Sequence, residues 1–176
     1  MKKILVTGAG GYIGSVLLKK LLDKKYSVRA VDRFFFGQQA AFNSDNLEIV
    51  NEDTRKLSDE IFKDIYAVID RAAIYNDHSA ELFAKATSEI NYQARHATAT
   101  RAKQNGVKKY ILPSSASIYG FNDDLLSETS PVNPLTVYAE SNLAAEQKIL
   151  PLADDNFCVT VMRQATVFGY SPRMRF

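Results

Sequence analysis

The chain opens on a short apolar run that breaks abruptly into glycine. Lys2-Lys3-Ile4-Leu5-Val6-Thr7 reads as a strand, Gly8-Ala9-Gly10-Gly11-Tyr12-Ile13-Gly14 as a loop, and the residues up to about Lys24 as an amphipathic helix. A backbone approaches an anion closely where no Cβ intervenes, and a helix that follows aims its free N–H groups and positive dipole end at that anion. The spacing of Gly8, Gly11 and Gly14 is a G-x-x-G-x-x-G variant of the dinucleotide fingerprint, since Ile13 takes the sixth position of the G-x-G-x-x-G form. The loop is therefore read as a pyrophosphate cradle.

A second strand, Ser27-Val28-Arg29-Ala30-Val31, ends in Asp32. Its separation from the loop is roughly the ~20 residues expected of the acid that grips an adenosine ribose. A carboxylate there favours NAD over NADP, because a 2′-phosphate beside Asp32 is repelled, while Arg33 next door partly offsets the repulsion.

Strand-like and helix-like segments alternate along the rest of the chain, which predicts an α/β fold: a doubly wound Rossmann-type parallel sheet with helices on both faces. Leu47-Glu48-Ile49-Val50 leads to Asp53-Thr54, and Tyr66-Ala67-Val68-Ile69-Asp70 leads to Ala72-Ala73. Both strand exits should face the crevice at the carboxyl ends of the sheet. The run Phe34-Phe35-Phe36-Gly37-Gln38-Gln39 is expected to shield the adenine side.

A long helix is predicted over 80–105, where Phe83, Ala86, Ile90, Ala94 and Ala97 recur at three- and four-residue steps and Gly106 supplies the stop. Lys109-Tyr110-Ile111-Leu112-Pro113 is the fifth strand. Asn133 as N-cap and Pro134 as first helical residue begin a helix over 134–150, and 157–162 is the sixth strand.

At 176 residues the chain suits one domain, 1–176. The 22 lysines and arginines nearly balance 20 acids, and no basic run is present, so nothing points to nucleic acid. No apolar stretch approaches membrane-spanning length, and a cytoplasmic protein is expected. The single Cys158, in Phe157-Cys158-Val159-Thr160-Val161, is expected to be a buried thiol in a reducing compartment. With one cysteine and two histidines, His78 and His96, both expected at the surface, no metal site is predicted. Asp77-His78-Ser79 is not a triad, because a triad converges in space and not along the sequence.

Taken in order, these segments resemble the extended short-chain dehydrogenase/reductase family, the NAD-dependent sugar-nucleotide epimerases and dehydratases, over essentially the whole chain. The residues that carry the likeness are Thr7-Gly8-Ala9-Gly10-Gly11-Tyr12-Ile13-Gly14, Asp32, Asp53, Ala72-Ala73, Ser114-Ser115-Ala116-Ser117-Ile118-Tyr119-Gly120, Tyr138 in Tyr-Ala-Glu-Ser-Asn, and Arg163-Gln164-Ala165-Thr166-Val167-Phe168-Gly169. The resemblance implies NAD as cofactor, a nucleotide sugar as substrate, and oxidoreductase or isomerase chemistry. By it, Gly8, Gly11, Tyr12, Ile13 and Gly14 hold pyrophosphate, Asp32 the ribose with Arg33 beside it, Asp53 and Thr54 the adenine, and Ala72 and Ala73 the cofactor midsection. Gln164 and Val167 bound the stretch near the nicotinamide, and Asn91 matches a helix asparagine near the active site.

The family's tyrosine takes the sugar hydroxyl proton as hydride leaves, and its serine or threonine hydrogen-bonds the same oxygen. Tyr138 and Ser115 match these positions. A free phenol, with a pKa near 10, is ionised in about one molecule in a thousand at neutral pH, so a nearby cation matters. The family supplies a lysine four residues on, on the same helix face. Here that residue is Asn142, expected to donate to a ribose hydroxyl but to bring no charge. One charge-assisted hydrogen bond is worth roughly 1.5–3 kcal/mol, so a rate loss of about 10²-fold or more is expected. Lys148 lies more than two helical turns beyond Tyr138 and cannot stand in.

Two further departures stand out. Asp70-Arg71 occupies the place where the family has His-Leu, adding charge at a strand exit. The chain also ends on Tyr170-Ser171-Pro172-Arg173-Met174-Arg175-Phe176, the entry to the family's smaller carboxy-terminal region, so most of that substrate domain is expected to be lacking. Two readings stay open beside a weak enzyme: a non-catalytic NAD-binding sensor or interaction module, and a truncated piece of a normal epimerase. A homodimer through the helices 80–105 and 134–150 is expected, with Ala94, Ala97, Ala102, Ala139, Ala144 and Ala145 permitting close approach.

Overall fold

The computed structural model describes residues 2–35, 37, 44–75 and 77–173. Its strands are β1 Lys3–Thr7, β2 Ser27–Asp32, β3 Leu47–Asn51, β4 Ile65–Asp70, β5 Lys109–Ser115 and β6 Cys158–Gln164. Its α-helices are α1 Tyr12–Asp23, α2 Asp77–Leu82, α3 Ala84–Ser88, α4 Arg95–Gln104 and α5 Val137–Ile149. The strands form one parallel sheet in the order β3-β2-β1-β4-β5-β6. The chain winds outward from β1 to β3, returns to place β4 on the other side of β1, and winds outward again to β6. The direction of winding thus reverses between β1 and β4, which opens a crevice at their carboxyl ends, as expected of a doubly wound sheet.

Alternation along the strands divides the core in two. Ile4 and Val6 of β1, with Val28 and Ala30 of β2, pack against Leu18 and Leu21 of α1. Leu5, Val31, Val68, Tyr110 and Leu112 face the opposite way, toward Ala99 and Ala102 of α4 and Ala145 and Ile149 of α5. The central strands are apolar on both sides because helices cover both faces.

Several expectations need correction. The helix over 80–105 is not continuous: Phe83 leaves helical geometry at φ −121°, ψ 43°, separating α2 from α3, and a π turn over Glu89–Ala94 precedes α4. Leu82 and Phe83 are exposed, so the apolar periodicity overstated the buried stripe. The later helix starts at Val137 with Thr136 as cap, its Oγ1 accepting the Ala139 N–H at 3.2 Å. Asn133 and Pro134 do not start it because Asn133 donates its N–H to the Ile118 carbonyl, and its own carbonyl lies so close to Gly120, at φ +69°, that a Cβ there would meet it at 2.2 Å.

Cys158 is exposed, not buried. It lies on the edge strand β6, where Val159 and Val161 turn toward the core while Cys158, Thr160 and Met162 face outward on the side away from α5. Of the small residues expected at a dimer face, Ala94, Ala102, Ala139 and Ala145 are buried within the chain, where they let the helices approach one another and the sheet. Ala144 is half-buried and Ala97 exposed, and His96 is half-buried where His78 is exposed.

One ion pair ties the outer strand to the helix layer. Glu146 of α5 is 2% exposed and takes Arg163 of β6 at 2.8 Å, while Arg163 Nη1 donates to the Tyr119 hydroxyl and the Glu128 carbonyl, each at 2.9 Å. The carboxylate holds the guanidinium in its charged form, raising its pKa above the ordinary arginine value. Removing one partner of such a buried pair leaves the other uncompensated, at about 3–5 kcal/mol. Arg163→Met should therefore lower stability to urea by about that amount, and Arg163→Met with Glu146→Leu should lower it by less than the single change. A single variant within about 1 kcal/mol of the parent would contradict this role.

Candidate functional site

A cavity of about 790 Å³ runs along the carboxyl ends of the strands. Its walls bring together Gly8, Gly11, Tyr12, Ile13 and Gly14 of the loop, Asp32 and Arg33 after β2, Asp53 and Thr54 after β3, and Ala72 and Ala73 after β4. Ser115, Tyr138, Gln164 and Val167 line it as well. Of the residues given a catalytic or cofactor role by the resemblance, Asn91 and Asn142 do not.

The loop is built by close approach. Gly8 has φ +61°, and a Cβ there would lie 2.6 Å from the Arg71 carbonyl carbon; a Cβ on Gly14 would lie 2.1 Å from the Gly8 oxygen. These two glycines are required by the chain's own packing of α1 onto β1 and β4. The consequence for a ligand is that Gly11, the N-cap of α1, carries no side-chain cap, so the first amides of the helix stay available for an anion. The site fits a diphosphate on that ground.

At the exit of β2, Asp32 accepts the Gly10 N–H at 3.0 Å and the Phe34 N–H at 2.8 Å, which fixes its carboxylate at the cavity wall. Arg33 is already engaged: it lies 3.3 Å from Asp53 and stacks on the Phe35 ring at 4.1 Å. Phe35 lines the cavity, whereas the Phe34 ring sits against Gly10. Phe36, Gln38 and Gln39 lie outside the described residues. Asp53 is bound chiefly by Arg55, at 2.6 Å, which with Arg33 holds its carboxyl down at about 2.

At the other end, Ser115 Oγ accepts the Ser117 N–H at 3.1 Å and the Ser117 hydroxyl at 2.9 Å. Both its lone pairs are taken, which leaves the Ser115 O–H to donate into the cavity. The Tyr138 hydroxyl is engaged by no hydrogen bond among the described residues.

Asn142 corrects the sequence reading. It is 1% exposed; its Nδ2 donates to the Tyr138 carbonyl at 2.8 Å and its Oδ1 accepts from Arg95 Nη1 at 2.9 Å, so its amide is turned into the protein and not toward a ribose. Asn91 is likewise buried, its amide meeting both the N–H and the carbonyl of Ile74 at 2.8 Å each, and it shapes the cavity wall without reaching the cavity.

Two cations emerge that the sequence reading missed or left unassigned. Arg95, 4% exposed, lines the cavity and also donates through Nε to the Ala72 carbonyl at 3.2 Å. Arg71 lines it too, donating to Gln164 Oε1 at 2.6 Å. Arg71 was visible as a charge at a strand exit. Arg95 reads as an ordinary basic helix residue, and only its i+4 spacing from Asn91 hinted that it shares the same inward face.

A model of the NAD dependent epimerase/dehydratase family matches residues 4–176. The chain is 32% identical over 151 residues to a putative UDP-glucose 4-epimerase of Methanocaldococcus jannaschii, covering 83% of this chain and 49% of that protein. It is 30% identical to the UDP-glucose 4-epimerase of Bacillus subtilis, covering 98% and 55%. A solved UDP-glucuronic acid 4-epimerase from Bacillus cereus, in complex with UDP-glucuronic acid and NAD, superposes with a TM-score of 0.88 at 26% identity, covering 98% of this chain and 60% of that one. The chain spans about half the length of the curated relatives it matches.

The arginine pairs of Asp53 set an acid limb. Its folded carboxyl lies below the unfolded value of 3.8, so the stability it contributes is complete above that value and is lost as pH falls toward about 2. Between pH 4 and 2 the parent should lose more stability than Asp53→Asn, as read by urea unfolding at each pH. Parallel curves for the two proteins over that range would refute the pairing.

Proposed function

The chain belongs to the NAD dependent epimerase/dehydratase family, and we propose that its crevice binds NAD and sets a sugar hydroxyl carbon against it. The observation that carries this reading is that one cavity joins the uncapped start of α1, the fixed Asp32 carboxylate and the Ser115–Tyr138 pair. The nicotinamide, when bound, supplies a hydride acceptor. The amides and dipole of α1 hold the diphosphate, and Asp32 accepts from the ribose hydroxyls and repels a 2′-phosphate. Arg33, already shared between Asp53 and Phe35, has little to offer such a phosphate. Ser115 would donate to the substrate oxygen, and Tyr138 in its phenolate form would receive the hydroxyl proton as the C–H bond of the same carbon gives up its hydride. The relatives named above act on UDP sugars, and a nucleotide sugar is the substrate class proposed here.

Turnover is proposed to be weak. Asn142 brings no charge, and both ends of its amide are committed within the protein. The same observation favours a second reading, a non-catalytic NAD-binding sensor or interaction module. The half-length match to relatives favours a third, a piece of a longer epimerase whose remaining part holds the nucleotide. The proposal includes a homodimer through the α2–α4 and α5 faces, where Leu82, Phe83 and Ala97 are exposed, and a cytoplasmic setting, which suits an exposed thiol. Among the described residues no helix is long and apolar enough to cross a membrane.

Calorimetry with NAD, run beside a UDP-hexose turnover assay, tests the reading. One NAD per chain is expected, with NADP bound at least about tenfold more weakly and turnover about 10²-fold or more below lysine-bearing relatives. NAD binding without any turnover selects the second reading, and failure to bind NAD refutes the proposal.

A further inference from the structure

Two guanidinium groups stand at one end of the crevice with no carboxylate in ion-pair contact among the described residues. Arg71 follows β4 directly and reaches Gln164 at the end of β6; Arg95 rises from the start of α4 to Ala72 and Asn142. Both line the cavity in the neighbourhood of Tyr138. Among the described residues, the hydrogen-bond partners of Arg71 and Arg95 are amide or carbonyl oxygens, and Arg71 Nε is buried with no hydrogen-bond partner. Neutral acceptors orient a guanidinium but do not cancel its charge.

The neighbouring anions fall one charge short. Asp70, 1% exposed, is the last residue of β4, next to Arg71, and accepts from the Thr7 and Tyr110 hydroxyls. Asp77 stands at the rim, exposed to solvent and hydrogen-bonded by Thr136 at 2.6 Å, where water screens it. Asp32, Glu52 and Asp53 lie at the ribose end, with Asp53 already shared by Arg33 and Arg55. Two cations and one buried anion leave a net positive charge. The repulsion is felt within the site: burial first, and then the charge of Arg95, pull Arg71 down to about 10, still well protonated at neutral pH.

We propose that this net positive floor, set chiefly by Arg71, makes the crevice discriminate between the two redox forms of its cofactor and hold NADH more tightly than NAD⁺. The inference rests on the NAD-binding reading above. The two forms differ by one positive charge, carried by the oxidised nicotinamide ring; the resemblance puts that ring near Gln164, and Arg71 is hydrogen-bonded to Gln164. An uncompensated charge nearby, in a partly buried site of intermediate effective dielectric, changes a binding constant by about tenfold or more. A crevice that keeps the reduced form suits an enzyme that returns the hydride to the same sugar, and equally a module that reports the reduced cofactor.

Binding measured at neutral pH for NAD⁺ by calorimetry and for NADH by its fluorescence tests this without any need for turnover. The parent should bind NADH at least about tenfold more tightly than NAD⁺. Arg71→Met and Arg71→Gln should each cut that ratio at least threefold, mainly by improving NAD⁺ binding, while Arg71→Lys, which keeps the charge, should hold it within threefold. A parent ratio below about threefold overturns the inference by itself, whether or not the variants fold, and so does a ratio that survives both neutral substitutions. Equal binding of the two forms overturns this inference and leaves the NAD-binding reading standing; absence of binding by both forms overturns the two together.

Discussion

The site depends on how closely α1 is drawn against the ends of β1 and β4. With no room for a Cβ at Gly8 against the Arg71 carbonyl, or at Gly14 against the Gly8 oxygen, the loop closes on itself and on the neighbouring strand. That packing does two things together. It aims the uncapped start of a helix into the crevice where the winding of the sheet reverses, and it sets Arg71, the first residue after β4, directly beside the turn. The uncapped helix start and the positive charge of Arg71, whose side chain runs on from the turn to Gln164, thus share one structural cause.

The chemistry at the far end is distributed differently from the pattern the sequence resembles. Tyr138 and Ser115 line the same cavity, but the position that would carry a lysine instead supports an arginine from another helix. Asn142 links the Tyr138 backbone to Arg95, so the asparagine belongs to the scaffold while the charge is delivered from α4 and from the end of β4. Positive charge is present in the site, though it enters from directions that spacing along α5 does not reveal.

Much of this was legible because it is written locally. The glycine spacing, the acid at the end of β2, and short apolar runs at regular intervals fix a doubly wound sheet and the residues at its strand exits, since each signal lies within one turn or one strand. What was not legible depends on contacts distant in sequence. Arg95 becomes a cavity residue only because Ala72 and Asn142 accept its protons. Phe83 fits a helical apolar stripe yet lies at a break and is exposed among the described residues. Cys158 sits in a run that reads as a buried strand, but an edge strand turns alternate residues outward, and periodicity alone cannot tell an edge from a centre.

The central claim is that the open amides at the start of α1 grip the cofactor's diphosphate, and backbone amide NMR during a titration with NAD addresses it most directly. The account predicts saturable shifts, at one common dissociation constant, concentrated at Gly11, Tyr12, Ile13 and Gly14 and at the Asp32 edge of the crevice. Saturating NAD that leaves those amides unmoved, or moves only residues elsewhere on the surface, would contradict it.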